Sequence, residues 1–248
     1  IASYGHQSEI VLGNVIGSNN FKLFVILGVV GLLYPISVQS TTAWREIPVS
    51  LTVVILVFLL GNETLGNDGM SISKVEGMVL LLFFGLFLYY IFKQLNVESP
   101  ETKTLEDFPS NSKIWAFIVF GLVGLIFGGK LVVDNAIEVA TELQVSKKVI
   151  GLTIIAVGTS LPELVTSGVA AMKKNSDMVI GNVIGSNIFN LLLVLSVSAI
   201  IHPVTFSDGF NIDLCILAGG TVFLLMAMMT GRRDRKSTRL NSSHPVSS

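Results

Sequence analysis

The apolar residues of this chain fall into seven long blocks separated by polar stretches. The blocks occupy residues 10–35, 47–60, 71–92, 114–133, 149–172, 178–201 and 212–230. A membrane-crossing helix needs about 20 predominantly apolar residues. The pattern therefore predicts an all-α polytopic membrane protein with about seven transmembrane helices. The second block is short, but Trp44 offers an interfacial anchor at its start. Residues 94–113, rich in Glu, Asp, Ser and Pro, read as a linker. It separates a first half, 1–93, with three helices from a second half, 114–230, with four.

Composition sharpens this. Of 248 residues, 51% are hydrophobic and 13% charged, against about 25% charged in soluble domains. That is too little charge for a solvated surface. The net charge of −1 gives no reason to expect a nucleic-acid partner. The single cysteine, Cys215, lies in an apolar block and excludes an intramolecular disulfide framework. Residues 1–9 are polar and the first is not Met, so the chain is expected to enter mid-protein. Residues 231–248 are polar and aperiodic, and read as a non-native tail outside the fold.

Basic residues in the loops predict orientation. One alternating set of loops carries Arg45, then Lys93, Lys103 and Lys113, then Lys173 and Lys174, then Arg232, Arg233, Arg235 and Lys236. The other set holds the turns GNETLGNDG and HPVTFSDG, with no Lys or Arg, and the exceptional pair Lys147–Lys148. The balance places the start of the chain outside and the linker 94–113 in the cytoplasm.

Against that topology, one motif stands out. GNVIGSN occurs at 13–19 and again at 181–187, within the longer match of EIVLGNVIGSNNF to DMVIGNVIGSNIF. An odd number of block steps separates the copies, so they are predicted to run in opposite directions. Inverted repeats of this kind build many secondary transporters, with the site at the midplane where the repeats meet. Gly181 and Gly185 form a G-x-x-x-G, which predicts close helix packing there.

The stretch GLTIIAVGTSLPELVTSGVAA, at 151–171, carries the candidate chemistry. Glu163 lies well inside an apolar block. A charge at the bilayer centre costs about 2.5–3.5 kcal/mol even on the lenient insertion scale. Pro162 lacks an amide hydrogen, so a helix break is expected near Thr159–Ser160. Thr159 and Glu163, spaced i, i+4, share a helix face. Ser186 and Asn190 stand in the same relation on the facing block, beside Asn187. The set is all hard oxygen without Cys or His, which argues against zinc, copper or iron and suits Ca²⁺ or Na⁺. One site serving either ion would couple their movements. A protonated, hydrogen-bonded Glu163 is the bland alternative for the residue, and a non-transporting membrane scaffold is the alternative for the chain, against which the paired oxygen-rich motifs weigh. An intramembrane enzyme would need a His or Asp partner beside Glu163, and no His lies in that block, so enzyme chemistry is not expected.

VGTSLPELVTSGVAA followed by GNVIGSNIFNLLLVL resembles the second α-repeat of the sodium/calcium exchanger family, within the calcium/cation antiporter superfamily. The short central loop is similar to the prokaryotic branch. The resemblance spans essentially 1–230 and implies a ten-helix inverted-repeat antiporter fold, of which this chain carries part. It implies exchange of Ca²⁺ for Na⁺ by alternating access, with H⁺ or K⁺ as alternative ions, and no bound cofactor. The expected partners are Ca²⁺, Na⁺ and the lipid bilayer, in a prokaryotic inner membrane. By motif match, Glu163 is the acidic ligand, with Thr159, Ser160 and the Ala156 carbonyl beside it. Ser186 and Ser18 are the paired serines, and Asn190 is the amide ligand four residues beyond Ser186. The partner carboxylate segment of the first repeat would precede Ile1.

Lys22 departs from the pattern, because it occupies the first-repeat position that matches Asn190. An ammonium has no acceptor and cannot ligate a cation. At about 4 Å from Glu163 it would pair with it, worth roughly 4 kcal/mol at an effective dielectric of 20. Three readings are open. Lys22 fills a cation site permanently and alters stoichiometry, it reflects a sequence error, or it snorkels to the cytoplasmic interface. Asn20 is similarly odd against Ile188. Elsewhere, Lys130 and Asp134 read as an i, i+4 structural ion pair. His202 reads as interfacial, His6 as part of a loop remnant, and Lys74 and Glu76 as helix-end charges.

Overall fold

The computed structural model of the chain describes residues 8–34, 36, 41–62, 71–97, 111–145, 154, 156–206 and 208–242. The helices are α1 (Ser8–Asn20), α2 (Leu27–Leu33), α3 (Thr41–Asn62), α4 (Lys74–Val97), α5 (Asn111–Glu142), α6 (Ala156–Gly158), α7 (Leu161–Met172), α8 (Ser176–Phe189), α9 (Leu195–Ile201) and α10 (Asp208–Ser242). A π-helical segment, Phe21–Ile26, joins α1 to α2, and a second, Asn190–Val194, joins α8 to α9. Two short strands, β1 (Ser71–Ile72) and β2 (Val204–Thr205), pair antiparallel with Ser71 opposite Thr205.

Among the described residues, six helical stretches are long and apolar enough to cross a membrane. They are Val11–Leu33, Trp44–Asn62, Lys74–Gln94, Ser112–Glu142, Ser176–Ile201 and Gly209–Met229. The remaining predicted block, 149–172, is represented by the shorter α7, and its residues 149–153 and 155 lie outside the described set. Hydropathy thus locates the spans but not their ends. Helix α3 begins at Thr41 rather than 47 and runs through Pro48. Helix α5 continues to Glu142, because residues beyond 133 keep helical periodicity after hydropathy falls. Helices α4 and α5 also shorten the linker to 98–110, which lies outside the described residues. Helix α10 extends to Ser242, through the polar segment that the sequence reading sets aside.

The two repeats form the centre. Leu12, Val15 and Ile16 of α1 are buried, as are their counterparts Ile180, Val183 and Ile184 of α8. Helices α4 and α9 pack together, as do α3 and α10. The periphery is apolar: α5 exposes Phe117, Phe120, Phe127 and Leu131. Water would penalise such a surface, whereas hydrocarbon accepts it, provided the backbone is internally hydrogen-bonded as a helix is.

The small β-ladder fixes the relative direction of the repeats. It joins the segment after α3 to the segment after α9, so these two ends lie on one side of the bundle. A reciprocal amide pair reinforces it: Asn62 Nδ2 donates to Asn211 Oδ1 and Asn211 Nδ2 to Asn62 Oδ1, both at 2.7 Å. Helix α9 therefore runs toward the ladder. Helix α2 runs away from it, because a short connection links α2 to the start of α3, whose other end reaches the ladder. The repeats are antiparallel. The described ends of the two basic-poor turns, at Asn62 and at residues 202–206, lie on this same side.

Candidate functional site

The chain breaks where the sequence predicts. Helix α6 ends at Gly158, Thr159 and Ser160 form a turn, and α7 starts at Leu161. A Cβ on Gly158 would collide with Val133 of α5, so only glycine permits this approach. The Ser160 amide donates to the Val157 carbonyl at 2.9 Å, and the Ser160 carbonyl accepts from Leu164 at 3.0 Å. Pro162 lies in the first turn of α7, where a missing amide hydrogen is no loss. Glu163 shares that turn, and the positive end of the helix dipole favours its negative charge.

Asn182 braces this segment from α8. Its side-chain amide donates to Thr166 Oγ1 and Ser167 Oγ, both at 2.9 Å, and to the Glu163 carbonyl at 3.3 Å. Its repeat counterpart, Asn14, accepts from Thr159 Oγ1 at 3.3 Å. The sequence reading passed over both asparagines, although the signal was present in the repeated GNV of the motif.

The repeat relation continues into geometry. The amide of Asn19 donates to the Asn187 carbonyl at 3.2 Å, and that of Asn187 to the Asn19 carbonyl at 3.4 Å, across a separation of 168 residues. Ser18 and Ser186 each donate to the carbonyl three residues back, at 3.2 and 3.1 Å. Both repeats then enter a π-helical segment, with Lys22 in one and Asn190 in the other. Such segments are frequent at functional sites.

At those two residues the symmetry breaks. Asn190 Nδ2 donates to Ser18 Oγ at 3.2 Å and to Asn19 Oδ1 at 2.9 Å. Lys22, 1% exposed, instead places Nζ 3.2 Å from Glu163 Oε1. The snorkelling reading of Lys22 is thereby corrected: the ammonium is held inside the bundle by the carboxylate.

Of the predicted ligands, Ser18 and Asn190 meet each other across the repeat interface. Ser160 is fully buried, and its Oγ has no hydrogen-bond partner among the described residues. Thr159 is exposed and contacts Asn14. Ser186 turns onto its own helix. Ala156 opens α6. The Glu163 carboxylate is engaged by Lys22. Among the described residues no group of three or more His, Cys, Asp or Glu side chains converges.

Other expectations are corrected. A Cβ on Gly185, Gly13 or Gly17 would meet nothing within 4 Å, and one on Gly181 would meet only Glu46 Oε2 at 4.0 Å. The motif glycines therefore do not mediate close packing among the described residues. That role falls to Gly220, where a Cβ would run into Phe24, and to Gly77, where it would sit 3.0 Å from the Ser196 carbonyl. Lys130 and Asp134 do not pair with each other. Glu76 is a helix-end charge as expected, in the first turn of α4, and it is buried there, accepting from the Ser73 amide at 2.6 Å. His202 is partly exposed, with Nδ1 2.9 Å from the Pro203 carbonyl. His6, His244 and the Lys147–Lys148 pair lie outside the described residues.

The sequence profile described as sodium/calcium exchanger protein matches residues 1–93 and 113–246. The chain belongs to the sodium/calcium exchanger family. Among characterised relatives it is 35% identical to the putative antiporter CaxA of Alkalimonas amylolytica, over 94% of this chain and 74% of that one. It is 31% identical to the sodium/calcium exchanger MaX1 of Methanosarcina acetivorans, over 93% and 76%. A solved structure of the sodium-calcium exchanger NCX_Mj, soaked with Na⁺ and Sr²⁺, superposes with a TM-score of 0.76 at 34% identity, covering 92% of this chain and 71% of that one. These matches agree with the exchanger-family fold read from the motifs, and they place the chain among membrane transporters.

Proposed function

We propose that this protein is a secondary active antiporter that exchanges Ca²⁺ for Na⁺ by alternating access. Its ions pass between the broken segment Ala156–Glu163 and the facing repeats. Glu163 supplies the charge. The hydroxyls of Thr159, Ser160, Ser18 and Ser186, the Ala156 carbonyl and the Asn190 amide oxygen supply the remaining ligands. The observation that carries the reading is the convergence of oxygen-bearing side chains from two antiparallel repeats beside a carboxylate on a broken membrane helix. Hard oxygen donors of this kind match Ca²⁺ and Na⁺. Similarity to relatives named as exchangers supports the same ions. Membership of an exchanger family supports transport rather than enzyme chemistry.

The loop charges support an inner-membrane orientation with the start of the chain outside and residues 94–113 in the cytoplasm. The test is Ca²⁺ uptake into everted membrane vesicles driven by a Na⁺ gradient, using the full-length gene product and its Glu163→Gln variant. Uptake should be saturable in the parent and lost in the variant. Undiminished uptake in Glu163→Gln overturns the site, and uptake that ignores Na⁺ but follows a proton gradient reassigns the counter-ion.

A further inference from the structure

The repeats share the backbone-directed hydrogen bonds of Ser18 and Ser186 and of Asn19 and Asn187, and then diverge at Lys22 and Asn190. Asn190 spends its amide on Ser18 and Asn19. Lys22 crosses from the first repeat to the carboxylate of the second. Its side chain is 2% exposed, against 22% for Glu163, so the ammonium is the more deeply enclosed partner. A buried ammonium is strongly penalised unless an anion compensates it, and Glu163, 3.2 Å away, is the anion that pairs with Lys22.

An ammonium and a Na⁺ are alternative occupants of the same carboxylate. Each brings one positive charge. Only Na⁺ also accepts lone pairs from Ser, Thr and amide oxygens, whereas Lys22 brings donors alone. A Ca²⁺ ion that reaches Glu163 must therefore displace the ammonium, since two cations on one carboxylate repel. When Ca²⁺ leaves, the tethered ammonium can return, and Glu163 is neutralised with no ion taken from solution. Coupling in an antiporter depends on the unoccupied, charged site being unable to change its exposure, because an uncompensated charge within the bilayer is costly. Lys22 removes that obstacle for this carboxylate.

We infer that Lys22 is a tethered counter-ion that replaces one Na⁺ in the exchange cycle, so that fewer Na⁺ ions are coupled to each Ca²⁺. The alternation of its ammonium between Glu163-bound and displaced positions takes the place of binding and release of that Na⁺. This inference rests on the exchange reading above and deepens it. It also predicts that restoring the residue of the second repeat restores the missing Na⁺ site.

The test uses the full-length protein reconstituted in liposomes, with ⁴⁵Ca²⁺ efflux followed against external Na⁺ at clamped membrane potential. Lys22→Asn and the apolar, stem-conserving Lys22→Met are compared with the parent, and Lys22→Arg retains the fixed charge. The Hill coefficient for Na⁺ should rise by about one in Lys22→Asn, with charge moved per Ca²⁺ changing by one elementary charge. Lys22→Arg should keep the parental Na⁺ dependence. Lys22→Met should bind Ca²⁺ more tightly than the parent, read as a larger Ca²⁺-induced rise in melting temperature. Equal Na⁺ and voltage dependence in parent and Lys22→Asn, with both transporting Ca²⁺, overturns the tethered counter-ion and leaves exchange standing. If Lys22→Asn does not fold, an unchanged Ca²⁺ response in Lys22→Met overturns it instead. A folded parent that moves no Ca²⁺ overturns the exchange reading and this inference together.

Discussion

Asn19 and Asn187 hold the two repeats together by exchanging hydrogen bonds, each side-chain amide donating to the other's backbone carbonyl, at 3.2 and 3.4 Å. Both residues are buried. The exchange places a local two-fold axis between equivalent positions of antiparallel helices.

The two asparagines do not contribute equally. Asn19 Oδ1 also accepts from Asn190, at 2.9 Å, whereas Asn187 Oδ1 has no partner among the described residues. Removing a buried donor and leaving its acceptor unsatisfied costs about 1–3 kcal/mol. Asn187→Ala should therefore lower stability by an amount in that range, and Asn19→Ala by more, since two bonds are lost. Thermal unfolding of the detergent-solubilised protein, read by intrinsic fluorescence, checks the order. Equal shifts would show that the Asn19–Asn190 bond adds nothing.

Much of this arrangement was legible in the sequence, for identifiable reasons. Block length located the spans because the bilayer imposes a fixed thickness on apolar helices. GNVIGSN announced the inverted repeat because identical backbones meeting at an axis need identical side chains there. Pro162 announced the break because it cannot complete a helical hydrogen bond. What was illegible depends on tertiary neighbours. The π-helical segments at Phe21–Ile26 and Asn190–Val194 leave no mark in periodicity over so few residues. The β1–β2 ladder is too short to show alternation. Whether Lys22 pointed to solvent or to Glu163 could be settled only by seeing which helix packs beside it.

The glycines give a sharp contrast, because spacing alone misassigned them. A Cβ on Gly77 would sit 3.0 Å from the Ser196 backbone carbonyl and 3.1 Å from Ala199 Cβ, while one on Gly185 would meet nothing within 4 Å. Overpacking typically costs about 1–3 kcal/mol, whereas Ala in place of Gly inside a helix gains about 1 kcal/mol. Gly77→Ala should thus lower the melting temperature, and Gly185→Ala should hold or raise it. Destabilisation by Gly185→Ala would mean that the G-x-x-x-G packs against a helix after all.

Asn62 and Asn211 pair through both amide groups at 2.7 Å, linking the ends of α3 and α10 beside the β-ladder. Loss of Asn62 strands both amide groups of Asn211, whereas loss of Asn211 strands Asn62 Oδ1 and leaves Asn62 Nδ2 its bond to the Phe58 carbonyl at 2.8 Å. The double variant Asn62→Ala/Asn211→Ala should therefore be little worse than either single variant, with a coupling energy of about 0.5–3 kcal/mol. Additive losses in a double-mutant cycle would show that each amide is satisfied independently.

Ser160 offers a test in which stability and ion binding move in opposite directions. Its hydroxyl is completely buried at the helix break, and its oxygen has no hydrogen-bond partner among the described residues. Burying an unpaired hydroxyl costs about 1–3 kcal/mol on mutational scales. Ser160→Ala should relieve that cost and raise the melting temperature in chelator. If the same oxygen ligates the transported cation, the variant must also lose part of the stabilisation that Ca²⁺ confers, since a ligand stabilises the folded state in proportion to the logarithm of its occupancy ratio. The Ca²⁺-induced shift should therefore shrink in Ser160→Ala while the ion-free melting temperature rises. A lower ion-free melting temperature would show that the hydroxyl is satisfied in the folded protein. An unchanged Ca²⁺ response would remove Ser160 from the coordination shell and leave Glu163 with fewer ligands from its own segment.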